Sequence, residues 1–441
     1  MPDRELLSQE NSYILISTRE TRDQMGFHEK NGYLYCDNIR VKDIQERVPT
    51  SPFYLYSLDQ ILQNYRAYEA ALEGIPSIIS FALKANSNLS IARHLREAGA
   101  GATLVSGNEL KIAMAAGYDS KVVTYNGNGK TLPELILAVL HNVMVNIDSE
   151  FDLEHIKRAA RDTGKTAKVT LRVNPDIDAE VHPYIATGFK HSKFGIMNER
   201  LGWYLEQISQ SPELNLVGIH CHLGSTIKKV KVFKDAMQVM MNVFGTIRDR
   251  GFPIKILNLG GGLGIDYERK DDIPTPKEFI DGIRDELLSD MTLIVEPGRS
   301  IVGNAAILVN RVTGIKSNGA KDFIVIDGSM SELIRPSLYD AFHFIDFIEP
   351  VEGEPRTFDI VGPICESADF LGKDRRLATP HESAGLAVFD VGAYGYIMSS
   401  NYNLKMRPAE YMVNGKQLTR IRRAETMDDY MRLFENDPVA I

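Results

Sequence analysis

The sequence predicts an α/β fold: a closed (β/α)8 TIM-like barrel plus a β-rich second domain formed from both chain ends. From residue 77 to residue 300, short β-branched or apolar runs alternate with amphipathic segments whose apolar residues recur at helical spacing. Eight such units match the roughly 250 residues that a closed barrel needs. After Arg299 the pattern changes to shorter strand-like runs separated by turn residues. An open doubly wound sheet is the second choice.

The predicted barrel strands lie in eight runs, which in order are SIISFALKANS, GATLVSG, KVVTYNGNG, VMVNIDS, AKVTLRVNP, LVGIHCHLGS, IKILNLGGG and TLIVEPGRS. Segments such as LSIARHLREAGA and VKVFKDAMQVMMNVFGTIRDRG lie between them and predict the helices. In such a barrel the active site collects at the C-terminal ends of the strands. The residues predicted there, few of which are apolar, are Lys84, Ser106, Asn126, Asp148, Asn174, His222, Gly260 and Glu296.

The chain is predicted to divide into four parts. Residues 1–26 form an N-terminal extension that carries little signal, and residues 27–58 supply the first strands of the β domain, in NGYLYCDN and SPFYLYS. The barrel occupies residues 59–305. Residues 306–441 form the C-terminal β domain, with runs such as DFIVIDGS, TFDIVGP and LAVFDVG.

Composition and charge narrow the classes of function. A content of 44% hydrophobic and 25% charged residues is typical of an ordinary globular protein. The net charge of -9 gives no general attraction for nucleic-acid phosphates, and the basic group Arg420, Arg422 and Arg423 is interpreted as a solvated face. No apolar run predicts a membrane span, and the acidic N-terminal segment is unlike a signal peptide, so a cytoplasmic protein is expected.

Three cysteines lie far apart in the sequence, Cys36, Cys221 and Cys365. Their spacing is not that of metal ligands, and an odd count in a large chain argues against a disulfide framework. We therefore expect free thiols in a reducing compartment and predict no metal site.

Lys84 lies in FALKANSN, at the end of the first predicted barrel strand. A lysine directed into a crowded interior is costly unless its charge is paired or the amine is used covalently. A salt-bridged surface lysine is the commoner role for a lone lysine. Its place at the catalytic end of a barrel strand raises the alternative of a Schiff-base lysine.

The segment LNLGGGLGIDY follows the seventh predicted strand and contains Gly260, Gly261 and Gly262. Without a Cβ, their backbone N–H groups can approach a phosphate closely, although a tight strand-to-helix turn would need the same residues. The spacing is not GxGxxG and no GK[ST] follows, so dinucleotide and NTP binding are disfavoured. Loops after the seventh and eighth strands of barrel enzymes commonly bind phosphate, which favours that interpretation here.

Glu296 and His222 are candidates for contacts with a cofactor ring. Glu296, in VEPGRS, ends the eighth predicted strand, where a carboxylate facing a pyridine nitrogen would keep that nitrogen protonated. A structural ion pair with Arg299 is the competing explanation. His222, in HCHLGST, could lie flat on a cofactor ring or be a hydrogen-bonded histidine of the barrel wall.

Six motifs in order carry a family resemblance: FALKANSN, HCHLGST, LNLGGGLG, EPGRSIV, GPICESADF and GAYGYIMSSNYN. Together they resemble the fold-type III pyridoxal-phosphate decarboxylases, and within them the diaminopimelate decarboxylases. The likeness runs from about residue 30 to the C-terminus. VHPYIATGFKHSKFGI resembles the same enzymes, and NYNLKMRPAEY is similar to their plant-like branch.

The resemblance implies pyridoxal 5'-phosphate as cofactor. Lys84 matches the lysine that bonds to its aldehyde, His222 the imidazole stacked on its ring, and Glu296 the partner of the pyridine nitrogen. Ser225 and the glycines ending at Gly262 match the phosphate cradle, with a tyrosine nearby. The full predicted cofactor-binding set is Lys84, His222, Ser225, Gly261, Gly262, Glu296, Gly298, Arg299 and Tyr394.

The resemblance also implies a homodimer, because Cys365 matches a thiol that the opposite subunit inserts into the active site. Lys84 and Cys365 are the predicted catalytic residues, and either could reprotonate the product. A substrate with an amino acid at both ends suits the remaining charges, with arginines for the distal carboxylate and Glu366 for the distal ammonium. The predicted substrate-binding residues are Arg299, Arg335, Tyr339, Glu366 and Tyr394. For Arg335 a surface ion pair is the alternative.

The activity expected from the resemblance is decarboxylation of meso-2,6-diaminopimelate to L-lysine and carbon dioxide, the last step of lysine biosynthesis. One alternative keeps the fold and cofactor but acts on ornithine, arginine or carboxynorspermidine. Another is a catalytically silent cofactor-binding protein. Racemisation is disfavoured, because racemases of this fold place arginine rather than glutamate against the pyridine nitrogen.

Overall fold

The structure, a computed structural model, describes residues 26–179, 181–182, 187–188 and 192–435. Apart from Gly26, the predicted N-terminal extension lies outside the described residues, as do residues 183–186 and 189–191 of the segment VHPYIATGFKHSKFGI. The described part begins with a small antiparallel sheet of three strands, β1 (Phe27–Lys30), β2 (Tyr33–Cys36) and β3 (Ile39–Arg40). The elements that follow it before the barrel are α1 (Val41–Arg47), β4 (Phe53–Ser57) and α2 (Leu58–Ala71).

Eight parallel strands close into a barrel, and each lies within one of the predicted runs except β10, which begins two residues before its run. They are β5 (Ser77–Ala82), β6 (Gly101–Leu104), β7 (Val123–Tyr125), β8 (Met144–Ile147), β9 (Ala167–Arg172), β10 (Leu214–His220), β11 (Ile256–Asn258) and β12 (Thr292–Val295). Pairing of β12 with β5 completes the ring. The closed barrel is thereby confirmed, and the open doubly wound sheet is excluded.

Helices follow the barrel strands and cover the outside of the ring. They are α3 (Leu89–Glu97), α4 (Gly107–Ala116), α5 (Leu132–Leu140), α6 (Glu150–Thr163), α7 (Leu201–Ser209), α8 (Val230–Asp249), α9 (Pro276–Asp281) and α10 (Arg299–Val302). Local sequence sets their ends, since Ser106 and Ser149 cap α4 and α6 and left-handed Gly117 and Gly164 terminate them. Ser106, predicted among the strand-end residues of the active site, is therefore a helix cap.

The second domain is β-rich and takes a strand from before the barrel, as predicted. Its elements after the barrel are β13 (Ala306–Ser317), β14 (Asp322–Ile326), α11 (Arg335–Tyr339), β15 (Ile345–Phe347), β16 (Pro355–Val361), β17 (Phe370–Ala378), β18 (Gly385–Val388), β19 (Ala409–Asn414), β20 (Gln417–Arg422) and α12 (Met427–Met431). The order β17-β16-β14-β13-β4-β19-β20 places β4 in the middle of this sheet. The division at residues 58 and 305 stays a prediction.

The apolar side chains fall into two buried clusters. One fills the space between the barrel strands and their helices and extends into the second domain, and the other packs β4 and β13 against the N-terminal strands. All three cysteines are free thiols, of which Cys36 and Cys221 are buried and Cys365 is exposed. Across the described part of the chain, no helix is both long and apolar enough to cross a membrane.

Candidate active site

A cavity of about 660 Å³ opens at the C-terminal ends of the barrel strands, between the barrel and the second domain. Strand and loop residues of the barrel form one wall, and α11 and the segment after β18 form the other. The structure brings eight of the predicted site residues together in its lining, namely Lys84, His222, Ser225, Glu296, Arg299, Arg335, Tyr339 and Tyr394. These residues come from segments up to 310 positions apart, as the barrel prediction requires.

Glu296 lies buried at the floor of the cavity as an ionised carboxylate. Asn126 donates to both of its oxygens at 3.0 Å, and Asn258 donates to Oε1 at 2.7 Å. Burial alone would raise the pKa of this carboxyl, but the His220 ring and the amide hydrogen bonds outweigh it and hold the pKa well below its ordinary value. Arg299, the competing partner, is not paired with it.

The hydrogen bonds of Asn146 determine the tautomer of His220. Thr170 Oγ1 donates to Asn146 Oδ1 at 2.9 Å, so the amide nitrogen faces His220 Nδ1, 2.7 Å away, and that ring nitrogen accepts. Burial lowers the pKa of His220, against the opposing effect of Glu296. The neutral ring therefore carries its proton on Nε2, which lies 3.5 Å from Glu296 Oε2.

His222 presents a neutral ring to the cavity. The Gly261 N–H donates to its Nδ1 at 3.2 Å, which leaves the ring proton on Nε2. Burial, the Lys84 charge and the Arg172 charge hold the pKa of His222 well below 6.5. A flat uncharged imidazole is suited to stacking against a planar ligand.

The glycines of the loop after β11 do not line the cavity themselves but pack closely against the backbone beside it. A Cβ on Gly261 would lie 2.1 Å from the Glu296 carbonyl oxygen, and one on Gly262 would lie 2.7 Å from the Gly224 carbonyl oxygen. Gly262 also has a φ of +118°, which side chains rarely adopt. Gly298 packs against the turn that carries Lys84, since its Cβ would lie 2.9 Å from that of Ala85.

Two buried arginines line the cavity. Arg299 and Arg335 are 6% and 5% exposed, and burial lowers the pKa of Arg335. Arg299 donates through Nε and Nη2 to Ser225 Oγ at 3.1 Å, and Arg335 Nη1 lies 2.8 Å from His343 Nε2. Among the described residues, neither forms a salt bridge with a carboxylate, so the surface ion pair considered for Arg335 is wrong. Buried cations without counterions indicate an anionic ligand.

The second domain holds the turn that carries Lys84. Lys84 lies in a single 3-10 turn directly after β5. Asn86 donates to the hydroxyl of Tyr56 at 3.1 Å, and Asn88 donates to the buried carboxylate of Glu410 at 2.9 Å. Within the described ranges the Lys84 ammonium has no hydrogen bond or ion pair, which leaves it available to a ligand.

Five of the predicted site residues do not line the cavity: Gly261, Gly262 and Gly298 pack against neighbouring residues beside it, and two others lie on the surface of their own chain. Cys365 and Glu366 are exposed on the loop between β16 and β17 and do not line the cavity. The Cys365 N–H donates to Asn403 Oδ1 at 3.0 Å. The predicted roles of these two residues therefore require a second chain.

Several residues that shape the cavity were not predicted from the sequence. His220 precedes His222 by two positions, so its inward direction could have been read from the alternation of side chains along β10. Tyr267 lines the cavity from the loop after the glycines, and His343 supports Arg335 from a loop of the second domain. These two positions carry no periodic signal.

Comparison with known proteins agrees with this geometry. Residues 58–303 match the family model described as "Pyridoxal-dependent decarboxylase, pyridoxal binding domain". The chain is 56% identical over 411 residues to the rice (Oryza sativa subsp. japonica) protein named "Probable diaminopimelate decarboxylase, chloroplastic", covering 92% of this chain and 84% of the relative. It is 42% identical to diaminopimelate decarboxylase of Pseudomonas aeruginosa, covering 91% and 97%. The chain belongs to the diaminopimelate decarboxylase family.

Solved structures of this family share the architecture. Diaminopimelate decarboxylase of Helicobacter pylori, crystallised with L-lysine, is 35% identical and superposes with a TM-score of 0.86, covering 89% of this chain and 98% of that chain. Membership confirms the expected enzyme class, a pyridoxal-phosphate-dependent carboxy-lyase.

The residues of the cavity fit pyridoxal phosphate. Lys84 offers an unpaired amine for the aldehyde, and the ionised Glu296 offers a partner for a protonated pyridine nitrogen. His222 supplies a flat neutral surface. The bare backbone at Gly262 and the hydroxyl of Ser225 suit a phosphate, because Ser225 already accepts from Arg299 and keeps its own proton to donate.

The glycine loop gives a first testable prediction. Gly262→Ala is expected to weaken binding of pyridoxal phosphate to the cofactor-free chain by about tenfold or more, because the new methyl group would displace backbone beside the phosphate. Gly164→Ala is the matched control, since Gly164 also has a positive φ, at the end of α6, but a methyl group there would meet nothing within 4 Å. Fluorescence titration measures both affinities. Equal affinities would contradict the assigned cradle.

Proposed function

We propose that the chain decarboxylates meso-2,6-diaminopimelate to L-lysine and carbon dioxide, the last step of lysine biosynthesis. The observation that carries this proposal is the pair of buried arginines, Arg299 and Arg335, which have no carboxylate counterion among the described residues and share the cavity with Lys84 and the ionised Glu296. An amine, a buried carboxylate and a separate anion site together suit a doubly functional amino acid bound to pyridoxal phosphate.

The side chains divide the chemical tasks among them. When bound, pyridoxal phosphate supplies an electron sink for the pair of electrons left by the departing carboxylate. With the cofactor bound, the ionised Glu296 would keep the proton on the pyridine nitrogen, and the neutral His222 would support the ring. Lys84 would be the residue that holds the cofactor through its amine. A proton must then reach the α-carbon, and Cys365 and Lys84 are the proposed donors.

Arg335 and Arg299 are proposed to bind the carboxylate at the far end of the substrate, and Tyr339 to add a hydroxyl contact. Tyr394, whose ring lies 4.8 Å from the Arg299 guanidinium carbon, is proposed to border both cofactor and substrate. Diaminopimelate carries a carboxylate at that end of the molecule, whereas ornithine, arginine and carboxynorspermidine do not. Their cationic ends would face buried guanidinium groups, which disfavours them.

Substrate choice can be tested by offering the purified holoenzyme each compound at equal concentration and measuring carbon dioxide release. We expect meso-diaminopimelate to exceed each alternative by about 10³-fold in kcat/KM, because each alternative leaves a buried charge unpaired. Preference for ornithine, arginine or carboxynorspermidine would contradict the substrate assignment. If neither diaminopimelate nor any of the three alternatives is decarboxylated, that result would favour a silent cofactor-binding protein.

We also propose a homodimer in which each active site is completed by the other subunit. Cys365 and Glu366 are exposed and do not line the cavity of their own chain. The adjoining surface is apolar, and it flanks Phe342 and Met398 in the lining of the cavity. Its exposed side chains are Leu338, Ile397, Tyr402 and Leu404. A second copy would bury this surface and bring Cys365 and Glu366 to the cavity.

Mixing two inactive variants tests the shared site. Lys84→Ala and Cys365→Ala each impair one half of the machinery, and a mixed dimer would contain one site with both residues native. We expect remixed subunits to recover about a quarter of wild-type activity, since about half of the dimers are mixed and each has one intact site. Sedimentation establishes the dimer independently. A monomeric active enzyme, or no recovery after proven exchange, would contradict the shared site.

Compartment and other partners remain predictions. Cytoplasmic location is expected from the sequence, whereas the name of the rice relative assigns that protein to the chloroplast. Cell fractionation of the native protein would decide. Nucleic-acid binding is not proposed, because Arg422 and Arg423 of the basic group form ion pairs with Glu410 and Asp429.

A further inference from the structure

Tyr267 lies between the two buried arginines of the cavity. Its hydroxyl accepts a hydrogen bond from Arg299 Nη1 at 2.5 Å. The guanidinium carbon of Arg335 lies 4.9 Å from the centre of its ring. The ring of His343 packs edge-on against that of Tyr267, with centroids 5.3 Å apart. The tyrosine is thus fixed on three sides by cationic or aromatic groups.

The direction of this hydrogen bond leaves the proton of Tyr267 unused. A guanidinium group can only donate, so the phenolic oxygen is the acceptor of the bond from Arg299. No acceptor for the phenolic proton is found in the part of the chain that the structure describes. Tyr267 also lines the cavity, so the unused donor is available to a ligand there.

Three groups consequently present donors to one part of the cavity, and two of them are positively charged. Arg335 keeps further N–H groups beyond the one directed at His343, and it has no carboxylate partner among the described residues. A carboxylate has two oxygens with about four acceptor positions, which matches two guanidinium groups and one hydroxyl. A terminal ammonium would find no acceptor in this arrangement.

We infer that Tyr267 is a specificity-determining residue that donates its hydroxyl proton to the distal carboxylate of the substrate. The inference rests on the proposed function and deepens it. Tyr267 has a second effect, because its oxygen accepts from Arg299 while its ring packs against the Arg335 guanidinium, so that the residue stands between two like charges. Recognition of the carboxylate therefore depends on the tyrosine oxygen as well as on the arginines.

The test uses two ligands that differ in the carboxylate alone. L-lysine retains the carboxylate that lies at the far end of the proposed substrate, and cadaverine lacks it. Binding of each to the holoenzyme is measured by calorimetry for the wild type and for Tyr267→Phe, which keeps the ring between the arginines. We expect the Kd of L-lysine to rise by about tenfold or more, the scale of one hydrogen bond to a charged group, with the Kd of cadaverine unchanged.

Tyr118→Phe is the matched control, because it deletes a hydroxyl that donates to the Ala92 carbonyl outside the cavity lining. Its ratio of lysine to cadaverine affinity should equal that of the wild type. The same Tyr267→Phe enzyme should show a raised KM for diaminopimelate and a kcat within a few-fold of the wild type, since the carboxylate is remote from the reacting carbon.

Three outcomes would overturn the inference. Equal loss of lysine and cadaverine binding would show general damage, and no loss of either would show that the hydroxyl is not used. A weaker affinity of the cofactor-free chain for pyridoxal phosphate, with the lysine to cadaverine ratio intact, would assign the hydroxyl to the phosphate instead. Failure of the wild-type enzyme to decarboxylate diaminopimelate would contradict the proposed function. The binding measurements with lysine and cadaverine do not depend on that activity, so the two failures can be distinguished.

Discussion

Lys84→Ala is expected to lower kcat for diaminopimelate by about 10⁴-fold or more, the scale seen when a residue that bonds covalently to the reacting group is removed. Lys84 lies in the turn directly after β5, lines the cavity and has no hydrogen bond or ion pair among the described residues. Alanine leaves neither an amine for the cofactor aldehyde nor a candidate proton donor at that position.

The covalent role can be separated from a loss of charge. Lys84→Arg keeps the cation but cannot bond to an aldehyde in the same way, so it should be as inactive as Lys84→Ala. Borohydride reduction of the holoenzyme followed by peptide mass spectrometry should place the cofactor on Lys84. Lys111→Ala, on the exposed face of α4, is the control and should retain both activity and labelling. Equal rates in the wild type and Lys84→Ala would refute the assignment.

The barrel could be predicted because its signal is local and repeated. Every run such as KVVTYNGNG or AKVTLRVNP contains a strand, and the polar residues that end it lie at one rim of the ring. Sequence position thus translates into spatial position for Lys84 and Glu296, although 212 residues separate them. The strand order of the second domain could not be predicted in this way, because β4 takes its interior position by pairing with β13 and β19, which lie far away in the sequence.

The candidate site was predictable where residues come from strand ends and unpredictable where loops deliver them. Tyr267 and His343 reach Arg299 and Arg335 from loops whose paths depend on how the two domains pack. Ser106 fails in the opposite way, since a serine before a helix serves equally well as a cap. Cys365 shows a further limit of prediction, because its proposed partners lie in the active site of a second subunit and not in its own chain.

Glu296→Gln is expected to lower kcat by about 10²- to 10³-fold, the scale of losing one preorganised electrostatic contact with developing charge. The environment of Glu296 keeps the pKa of this carboxyl below its ordinary value of 4.5, so the native group stays charged throughout the neutral range. Glutamine keeps one acceptor oxygen, in the place of Oε1, for Asn126 and Asn258, but it loses the charge that would hold a proton on the pyridine nitrogen.

Binding of cofactor should survive this change, because Lys84 and the glycine loop are untouched. Glu296→Asp preserves the charge and should therefore keep more activity than Glu296→Gln, despite a shorter reach. Glu332→Gln is the matched control, since Glu332 is also a buried carboxylate but bonds to Ser329 away from the cavity lining. Steady-state kinetics and cofactor absorbance report the two effects separately. If the glutamine enzyme is as active as the aspartate enzyme, the charge of Glu296 is not needed for the reaction, and this residue has a structural role only.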